Sequence, residues 1–360
     1  MTDSQDPASR SSAAPARGPD NERGRRPIRA AFYVLAAMAL PWLAVPSFAL
    51  DPAPAMQGDT RVHDPSAIDV GGHWAAFYTG DAGGLYQGAI LAKTSPDGIT
   101  WAKAGAVGKG VPKWTQTVLG YKSQDIWAPT ISVRDGIYYL YYSVSSFGIN
   151  QSAIGVMTNP AFDPANPGVG WQDQGEVLHS TLKDDWNAID PFRIDTADGR
   201  AWLSFGSYWS GIKLRELDPK SGKLLAPDTP TYDLAARGRG GAIEASSILE
   251  HDGKFYLFVS YDQCCQDVAS TYRIMVGRAD AITGPYADKS GTPMLKSGAT
   301  ELQRKIGRYI GPGGQEPVKT PQGDVLVYHY YDGEDGGASK LQITPISWTD
   351  DGWPELAPPP

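Results

Sequence analysis

Five segments of the chain repeat one local pattern, a tight turn followed by a strand of alternating aromatic residues. These segments are 71–79, 135–143, 198–206, 252–260 and 323–331. Glycine tolerates the positive φ of a hairpin turn, so Asp-Gly between alternating apolar residues is a strong hairpin signal. The turn glycines lie 64, 63, 54 and 70 residues apart. A period near 60, with no amphipathic helices between the units, predicts an all-β chain folded as a five-bladed β-propeller.

The composition agrees with that fold and excludes several classes of protein. The chain has 41 glycines and 29 prolines, and 11% of its residues are aromatic, which suits many turns and strands. A net charge of −8, without a basic cluster in the folded part, argues against nucleic acid as a partner. Two cysteines exclude a disulfide-rich scaffold and a four-thiolate metal site. A two-sheet sandwich is the alternative fold, but nothing in a sandwich requires one turn to recur so regularly.

The N-terminal region predicts an export signal. Residues 1–29 carry six arginines, residues 30–50 carry no charge, and Ser47 and Ala49 are small residues at the spacing that signal peptidase prefers. We predict a signal peptide at 1–49 and a propeller catalytic domain at 50–360, secreted or periplasmic. The alternative is a membrane tether through residues 30–50, although Pro41 and Pro46 shorten the stretch that could form a helix.

Three acids stand at corresponding places in the repeated units, seven or eight residues before the turn: Asp64, Asp190 and Glu244. Ala128 holds this place in the second unit, and the fifth unit offers the segment 311–314 at a longer offset. In a propeller the first strand of every blade lines the central axis. We therefore predict that the three carboxylates meet at one mouth of the channel, although they lie 126 and 54 residues apart.

Carboxylates gathered in one cleft repel each other, so their pKa values separate and one can stay protonated while another is ionised. Glycoside hydrolysis needs that pair of states, because an acid protonates the leaving oxygen while a base serves the opposite face of the sugar. An Asp-Pro pair alone is more often a structural turn, with the aspartate capping backbone amides. Acids at three equivalent positions, with neutral residues at the other two, favour catalysis.

Five motifs, in this order, resemble those of endo-α-1,5-L-arabinanases of glycoside hydrolase family 43. The motifs are His63-Asp-Pro65, Ile126-Trp-Ala-Pro129, Asn187-Ala-Ile-Asp190, Ser207-Tyr-Trp-Ser-Gly211 and Ala242-Ile-Glu-Ala-Ser246. The likeness extends from Val62 to Pro354 and implies a five-bladed propeller that hydrolyses α-1,5-linked arabinan with inversion. It implies that Asp64 is the general base and Glu244 the general acid. Asp190 would then keep the pKa of Glu244 high and orient it.

Seven residues are expected around the bound sugar. Aromatic residues on loops or strand ends near the mouth could stack on a furanose, with packing between blades as the alternative. The resemblance favours two of these aromatics and adds three polar or close-approach positions. The expected set is Trp127, Phe147, Gly148, Asn187, Ser207, Tyr208 and Trp209.

The resemblance also implies one central metal ion, usually calcium, beside a histidine of the last blade, which here is His329. A lone imidazole is a poor ligand set for a cation that prefers oxygen. Several relatives have a histidine after a Gly-Pro-Gly turn where this chain has Gly314. No motif indicates an organic cofactor. Cys264 and Cys265 are adjacent and could form a disulfide in an oxidising compartment or remain as reduced thiols.

The expected substrate is therefore the polysaccharide arabinan, as found in pectin side chains. We expect no nucleic-acid partner, and no stable membrane association once the signal is cleaved. Two other functions remain open. An exo-acting α-L-arabinofuranosidase or β-xylosidase of the same family would share all three acids, and a non-catalytic propeller could bind sugar through the same face.

Overall fold

The computed structural model of this protein describes residues 50–80, 88–238 and 241–360. The predicted signal peptide, and all but Leu50 of the alternative tether, lie outside these residues. The described chain forms five sheets of four or five strands, so the predicted all-β, five-bladed propeller is confirmed. None of the helices in the described ranges is long and apolar enough to cross a membrane.

Each blade is built from strands that follow one another along the chain. The first blade contains β1 (Gln57–Gly58), β2 (Ser66–Val70), β3 (His73–Thr79), β4 (Ile90–Ser95) and β5 (Thr100–Val107), in the spatial order β1-β5-β4-β3-β2. The second contains β6 (Asp125–Arg134), β7 (Ile137–Ser145), β8 (Ser152–Asn159) and β9 (Gln172–Ser180), and the third contains β10 (Phe192–Asp195), β11 (Ala201–Phe205), β12 (Ile212–Leu217) and β13 (Tyr232–Ala235). The fourth contains β14 (Ile243–His251), β15 (Lys254–Tyr261), β16 (Arg273–Ala279) and β17 (Thr300–Gln303), and the fifth contains β18 (Tyr309–Thr320), β19 (Gly323–Asp332), β20 (Ala338–Trp348) and β21 (Pro354–Leu356). Among the described residues, helix α1 (Trp114–Leu119) and 3₁₀ turns at Asp267–Ala269 and Met294–Lys296 lie between strands.

The repeated sequence pattern corresponds to the second strand of each blade. Each predicted turn joins the first and second strands, as at Gly72, where Val70 pairs with His73. Along each second strand, neighbouring aromatic residues face opposite sides. Tyr142 packs between the first and second blades, whereas Tyr141 packs between the second and third. The strand is therefore buried on both faces, which explains its density of aromatic residues.

The hydrophobic core consists of five layers, one between each pair of neighbouring blades. Closure of the ring needs the segment that precedes β2. The Leu341 N–H donates to the carbonyl oxygen of Thr60 at 2.8 Å, and the Val62 N–H donates to that of Ser339 at 3.2 Å. Residues 60–62 thus add to β20 of the fifth blade before the chain enters the first blade, and this pairing joins the two ends of the ring.

One residue at the channel end of every innermost strand has a left-handed backbone, and we call these five residues the mouth ring. They are Asp64 (φ 48°), Ala128 (φ 42°), Asp190 (φ 56°), Ala245 (φ 52°) and Gly314 (φ 59°). In β6, β14 and β18 the ladder shifts register at this point, which is the signature of a β-bulge. A positive φ is costly for most non-glycine residues, so it persists only where surrounding contacts impose it.

Those contacts are hydrogen bonds from each mouth-ring N–H to the preceding blade. Four of the acceptors lie on second strands: Thr79 Oγ1 for Ala128 (2.9 Å), Ser143 Oγ for Asp190 (3.0 Å), Ser260 Oγ for Gly314 (3.0 Å) and His329 Nδ1 for Asp64 (3.1 Å). In the third blade the corresponding second-strand residue is Gly206, which has no side chain to offer. The Ala245 N–H donates instead to Asp190 Oδ2 at 3.0 Å. The mouth ring therefore links all five blades and carries two of the predicted acids.

Candidate active site

The structure brings the three predicted acids together, but Glu244 is not at the position that the alignment of the repeated units predicted for it. The mouth-ring position of the fourth blade belongs to Ala245, and Glu244 precedes it by one residue. The equivalence of Glu244 with Asp64 and Asp190 was therefore wrong by one position. The three side chains still converge, because Asp190 accepts the N–H of Ala245 and so lies against the residue next to Glu244.

Asp64 is held by two donors that both bind one of its oxygens. Thr79 Oγ1 donates to Oδ2 at 2.8 Å, and His63 Nδ1 lies 2.9 Å from the same oxygen. The other oxygen, Oδ1, is 3.8 Å from His329 Nδ1, a nitrogen that already accepts the N–H of Asp64. Oδ2 is thus saturated, and Oδ1 keeps lone pairs for a further partner.

The surroundings of Asp64 favour its ionised form. Burial by itself would raise the pKa of this carboxyl, but the charge and hydrogen bond of His63, followed by the Thr79 hydroxyl, hold that pKa well below its usual range. Asp64 in turn raises the pKa of His63 against the opposing effect of burial, with a smaller contribution from Glu244. Asp64 is therefore the acid of the three that stays ionised, as a general base must be.

Glu244 accepts hydrogen bonds on both oxygens. Ser207 Oγ donates to Oε2 at 2.6 Å, and the hydroxyl of Tyr272 donates to Oε1. Burial nevertheless raises the pKa of Glu244, with the negative charge of Asp64 adding to the effect of burial. The side chain is consequently fixed in orientation and takes up a proton more readily than an exposed glutamate does.

Asp190 and Glu244 form a pair that retains a proton. Burial, followed by the charges of Glu244 and Asp64, raises the pKa of Asp190 well above its usual value. When two buried carboxyl groups interact this strongly, the proton belongs to the pair and not to one residue. The site therefore combines a carboxylate that stays ionised, Asp64, with a carboxyl pair that holds a proton. Acid–base cleavage of a glycosidic bond requires this combination.

The acids lie in a cleft of about 1510 Å³ that residues from all five blades line. All seven residues expected around the sugar line it: Trp127, Phe147, Gly148, Asn187, Ser207, Tyr208 and Trp209. Phe147 is 86% exposed and Trp209 38% exposed, so their rings are available to a ligand. Exposed apolar rings that line a cleft are typical of a ligand-binding surface. The cleft is larger than the 300–1000 Å³ or so of a small-molecule pocket, which suits an oligomeric ligand.

Two of the polar residues in this set already have protein partners. Ser207 is the donor to Glu244, so its hydroxyl orients an acid. Asn187 is 3% exposed, and its Oδ1 accepts a hydrogen bond from Ser152 at 2.6 Å. The amide nitrogen of Asn187 is the part of that side chain left for a ligand.

The expected calcium ligand, His329, is fully buried beside the acids, but its chemistry does not fit a cation. Burial, followed by the charge of His63, holds its pKa well below the usual value, so the ring is neutral. Nδ1 accepts the Asp64 N–H, which leaves the single proton of a neutral imidazole on Nε2. Nε2 is buried without a hydrogen-bond partner among the described residues. A protonated nitrogen can donate to water, but it cannot bind calcium, which also prefers six to eight oxygen ligands.

Sequence reasoning missed several residues of the site. A signal existed for Thr79, because the last residue of the repeated segment is serine or threonine in three of the five units: Thr79, Ser143 and Ser260. His63 was noticed only as part of a motif. Tyr272 lies outside the repeated segments, and nothing in the local sequence distinguishes it from a packing residue.

Comparison with known proteins gives a family match over most of the chain. The sequence profile of a family described as "Glycosyl hydrolases family 43" matches residues 54–354. An extracellular endo-alpha-(1->5)-L-arabinanase of Bacillus subtilis is 42% identical over 294 residues, covering 81% of this chain and 87% of that protein. An extracellular exo-alpha-(1->5)-L-arabinofuranosidase of Cellvibrio japonicus is 36% identical over 305 residues, covering 82% of this chain and 86% of that protein.

A solved structure agrees with the fold described above. The family 43 endo-arabinanase from Bacillus licheniformis superposes with a TM-score of 0.76 at 42% identity, covering 84% of this chain and 99% of that one.

Replacing Asp190 with asparagine should remove the free-energy cost of ionising a buried carboxyl group. The mouth ring should stay intact, because the amide oxygen can still accept the Ala245 N–H. A buried carboxyl with a raised pKa binds a proton that the unfolded chain has lost, so its contribution to stability falls as pH rises above about 4. We expect Asp190→Asn to gain melting temperature relative to the wild type as pH rises from 4 to 9. Activity should fall by about 100-fold or more.

The matched control is Asp228→Asn, at an exposed position, which should follow the wild-type curve. Differential scanning fluorimetry across the pH range measures both variants. A melting temperature of Asp190→Asn that lies below the wild type by a constant amount at every pH would contradict the assignment of a raised pKa to Asp190.

Proposed function

This chain belongs to glycoside hydrolase family 43, and from that membership we propose that it cleaves α-1,5-L-arabinofuranosidic bonds within arabinan, with inversion at the anomeric carbon. One observation carries the proposal: Asp64, Asp190 and Glu244 converge in one cleft of about 1510 Å³, where the donors of Asp64 favour its anion and burial favours a proton on the other two acids. The Bacillus subtilis relative named as an endo-arabinanase is more similar to this chain than the Cellvibrio japonicus relative named as exo-acting. Exo cleavage is the weaker alternative.

Asp64 acts as the general base. Its Oδ1, the oxygen without a donor, accepts a proton from a water molecule while that water attacks the anomeric carbon. Thr79 and His63 keep Oδ2 in place, so the carboxylate does not need to reorient when the water loses its proton. Fixing the base before reaction removes an entropic cost that a mobile carboxylate would add to the barrier.

Glu244 acts as the general acid. As the bond between the anomeric carbon and the departing oxygen breaks, the proton of the Glu244–Asp190 pair passes through Glu244 to that oxygen. Ser207 and Tyr272 hold Glu244 in place, and Asp190 helps to keep the proton on the pair. After release of both products, the pair regains a proton and Asp64 loses one, which restores the starting state.

The exposed aromatic rings serve as sugar platforms. Phe147 follows β7 in the second blade, Trp209 follows β11 in the third, and both line the cleft. A rigid ring that stacks on the CH face of a furanose loses little conformational entropy on binding. Platforms on two blades, beside the cleavage point, favour a polymer that passes across the cleft.

The products of debranched 1,5-arabinan test the function directly. We expect short arabino-oligosaccharides early in the reaction, together with a rapid fall in viscosity. Chromatography identifies the products, and viscometry follows the length of the polymer. Glu244→Gln should lower kcat/KM on the polymer by about 10²–10⁴-fold, the usual contribution of a general acid. Release of single arabinose from the first time points would establish exo cleavage instead.

A matched pair of variants separates the two carboxylate roles. An arabino-oligosaccharide that carries a dinitrophenyl leaving group needs no protonation to depart, so Glu244→Gln should lose much less activity on it than on arabinan. Asp64→Asn should remain impaired on both substrates, because water must still be activated. Equal losses for the two variants on both substrates would contradict the assignment.

We propose that His329 supports the backbone of Asp64 and does not bind a cation, contrary to what the resemblance implied. The supporting observations are the Asp64 N–H donated to Nδ1 and the resulting proton on Nε2. Treatment with EDTA should leave the melting temperature and the activity within experimental error. A loss of both that calcium restores and magnesium does not would contradict this proposal and support a calcium site.

We propose that the protein is exported and that cleavage after Ala49 releases the propeller. The supporting observations are the basic segment, the uncharged segment and the small residues at 47–49, together with two relatives that are named as extracellular. N-terminal sequencing of the protein recovered from the medium or periplasm should begin at Leu50. A protein that stays with the membrane fraction and retains residues 1–49 would establish the tethered form.

A further inference from the structure

Cys264 and Cys265 form a disulfide between adjacent residues in the loop after β15, at the rim of the cleft. The base of this loop is fixed by charge, because Asp262 forms ion pairs with Arg237 and Arg273, both at 2.7 Å. The disulfide closes a small covalent ring around the peptide bond between the two cysteines. Cys265, inside that ring, has a left-handed backbone with φ of 65°. The direction of its N–H is therefore set by the loop.

The N–H of Cys265 points at the fifth blade. It donates to the hydroxyl oxygen of Tyr331 at 2.8 Å. Tyr331 is 3% exposed, and its hydroxyl also lies 2.8 Å from Nε2 of His63. The sulfur of Cys265 is 3.8 Å from the same nitrogen. The disulfide loop thus contacts His63 directly through sulfur and indirectly through Tyr331.

The contact of His63 with Asp64 determines which nitrogen of a neutral His63 carries the proton. Nδ1 lies 2.9 Å from Asp64 Oδ2, and because an ionised carboxylate can only accept, the imidazole proton resides on Nδ1. Nε2 is then an acceptor, and the Tyr331 hydroxyl, whose oxygen accepts the Cys265 N–H, donates to it. Each group along the path from Cys265 to Asp64 therefore donates to the next one.

We propose that the Cys264–Cys265 disulfide is a positioning element for the general base, acting through Tyr331 and His63 on Asp64. This inference rests on the proposed function for its effect on catalysis. The loop holds Tyr331, Tyr331 fixes the ring orientation of His63 through Nε2, and His63 holds Oδ2 so that Oδ1 faces the water. Cys265, Tyr331 and His63 can play this role without contact with the substrate. Loss of the path lowers kcat and leaves KM unchanged.

The first test is Tyr331→Phe, which removes one hydroxyl from the path and keeps the ring. Its control is Tyr330→Phe, one residue away on the same strand, where the ring packs on Tyr309 at 4.6 Å between centroids. We expect kcat on debranched arabinan to fall about tenfold for Tyr331→Phe, with KM within about twofold, since one hydrogen bond is worth about 1 kcal/mol or slightly more. Tyr330→Phe should retain wild-type kinetics. A wild-type kcat for Tyr331→Phe would overturn the proposal.

The second test asks whether the disulfide acts through Tyr331. The double variant Cys264→Ser/Cys265→Ser should lose kcat by a similar factor, and adding Tyr331→Phe to it should cause little further loss, because both changes break the same path. Losses that multiply would show that loop and tyrosine act separately and would overturn the proposal. A raised KM with unchanged kcat in the serine variant would assign the disulfide to substrate binding instead.

A measurement that does not depend on activity separates this inference from the proposed function. Nitrogen-15 spectra of the histidine side chains, with His63 assigned through His63→Gln, report whether Nε2 accepts a hydrogen bond at a pH where the ring is neutral. We expect the Nε2 resonance to move downfield in Tyr331→Phe and in the serine variant, because its donor is lost or displaced, while the proton stays on Nδ1 beside Asp64. An Nε2 resonance at the wild-type position in both variants would overturn the proposal even if arabinan is cleaved, whereas the downfield shift would support it even if the substrate is another polymer.

Discussion

The structure depends on a ring of hydrogen bonds between blades at the mouth of the channel. At this ring, each innermost strand enters through a left-handed residue whose N–H is donated to the preceding blade. A buried N–H without a partner is costly, so each of these bonds constrains where the next blade can sit. The same constraint turns the side chains of Asp64 and Asp190 towards the axis. The geometry that closes the propeller is therefore also the geometry that assembles the acids.

The third blade shows how closely structure and chemistry are joined at this ring. A side chain at Gly206 would place Cβ 2.4 Å from the carbonyl oxygen of Gly211, so the position cannot carry the hydroxyl that three of the other blades use. Asp190 supplies the missing acceptor. A carboxyl group that completes the ring is thereby fixed beside Glu244, and its desolvation keeps a proton on the pair. Burying these acids costs stability, a cost that proteins commonly accept at an active site.

Asymmetry around the axis explains why one mouth can hold acid and base at once. Asp64 has two side-chain donors, His63 and Thr79, and these favour its anion. Asp190 has a single backbone donor and two carboxylates for neighbours, which favour its neutral form. Residues of one type, at equivalent places in a repeated fold, thus acquire opposite protonation states because their neighbours differ. The repeat places Asp64 and Asp190 at equivalent positions, and the residues that differ between the blades give them different protonation states.

The sequence by itself determined the architecture and the identity of the acids. Hairpin turns and alternation along a strand are local properties, so a period of about 60 residues was enough to predict five blades and the inward-facing start of each first strand. Only the tertiary structure decided the rest. A bulge moves Glu244 by one position from its apparent equivalents, and bulges depend on pairing between strands that no local pattern encodes. Distant parts of the chain supply His329 to Asp64, Tyr331 to His63 and Tyr272 to Glu244. They meet because closing the ring places the first blade beside the last and the loop of the fourth blade across the gap between them.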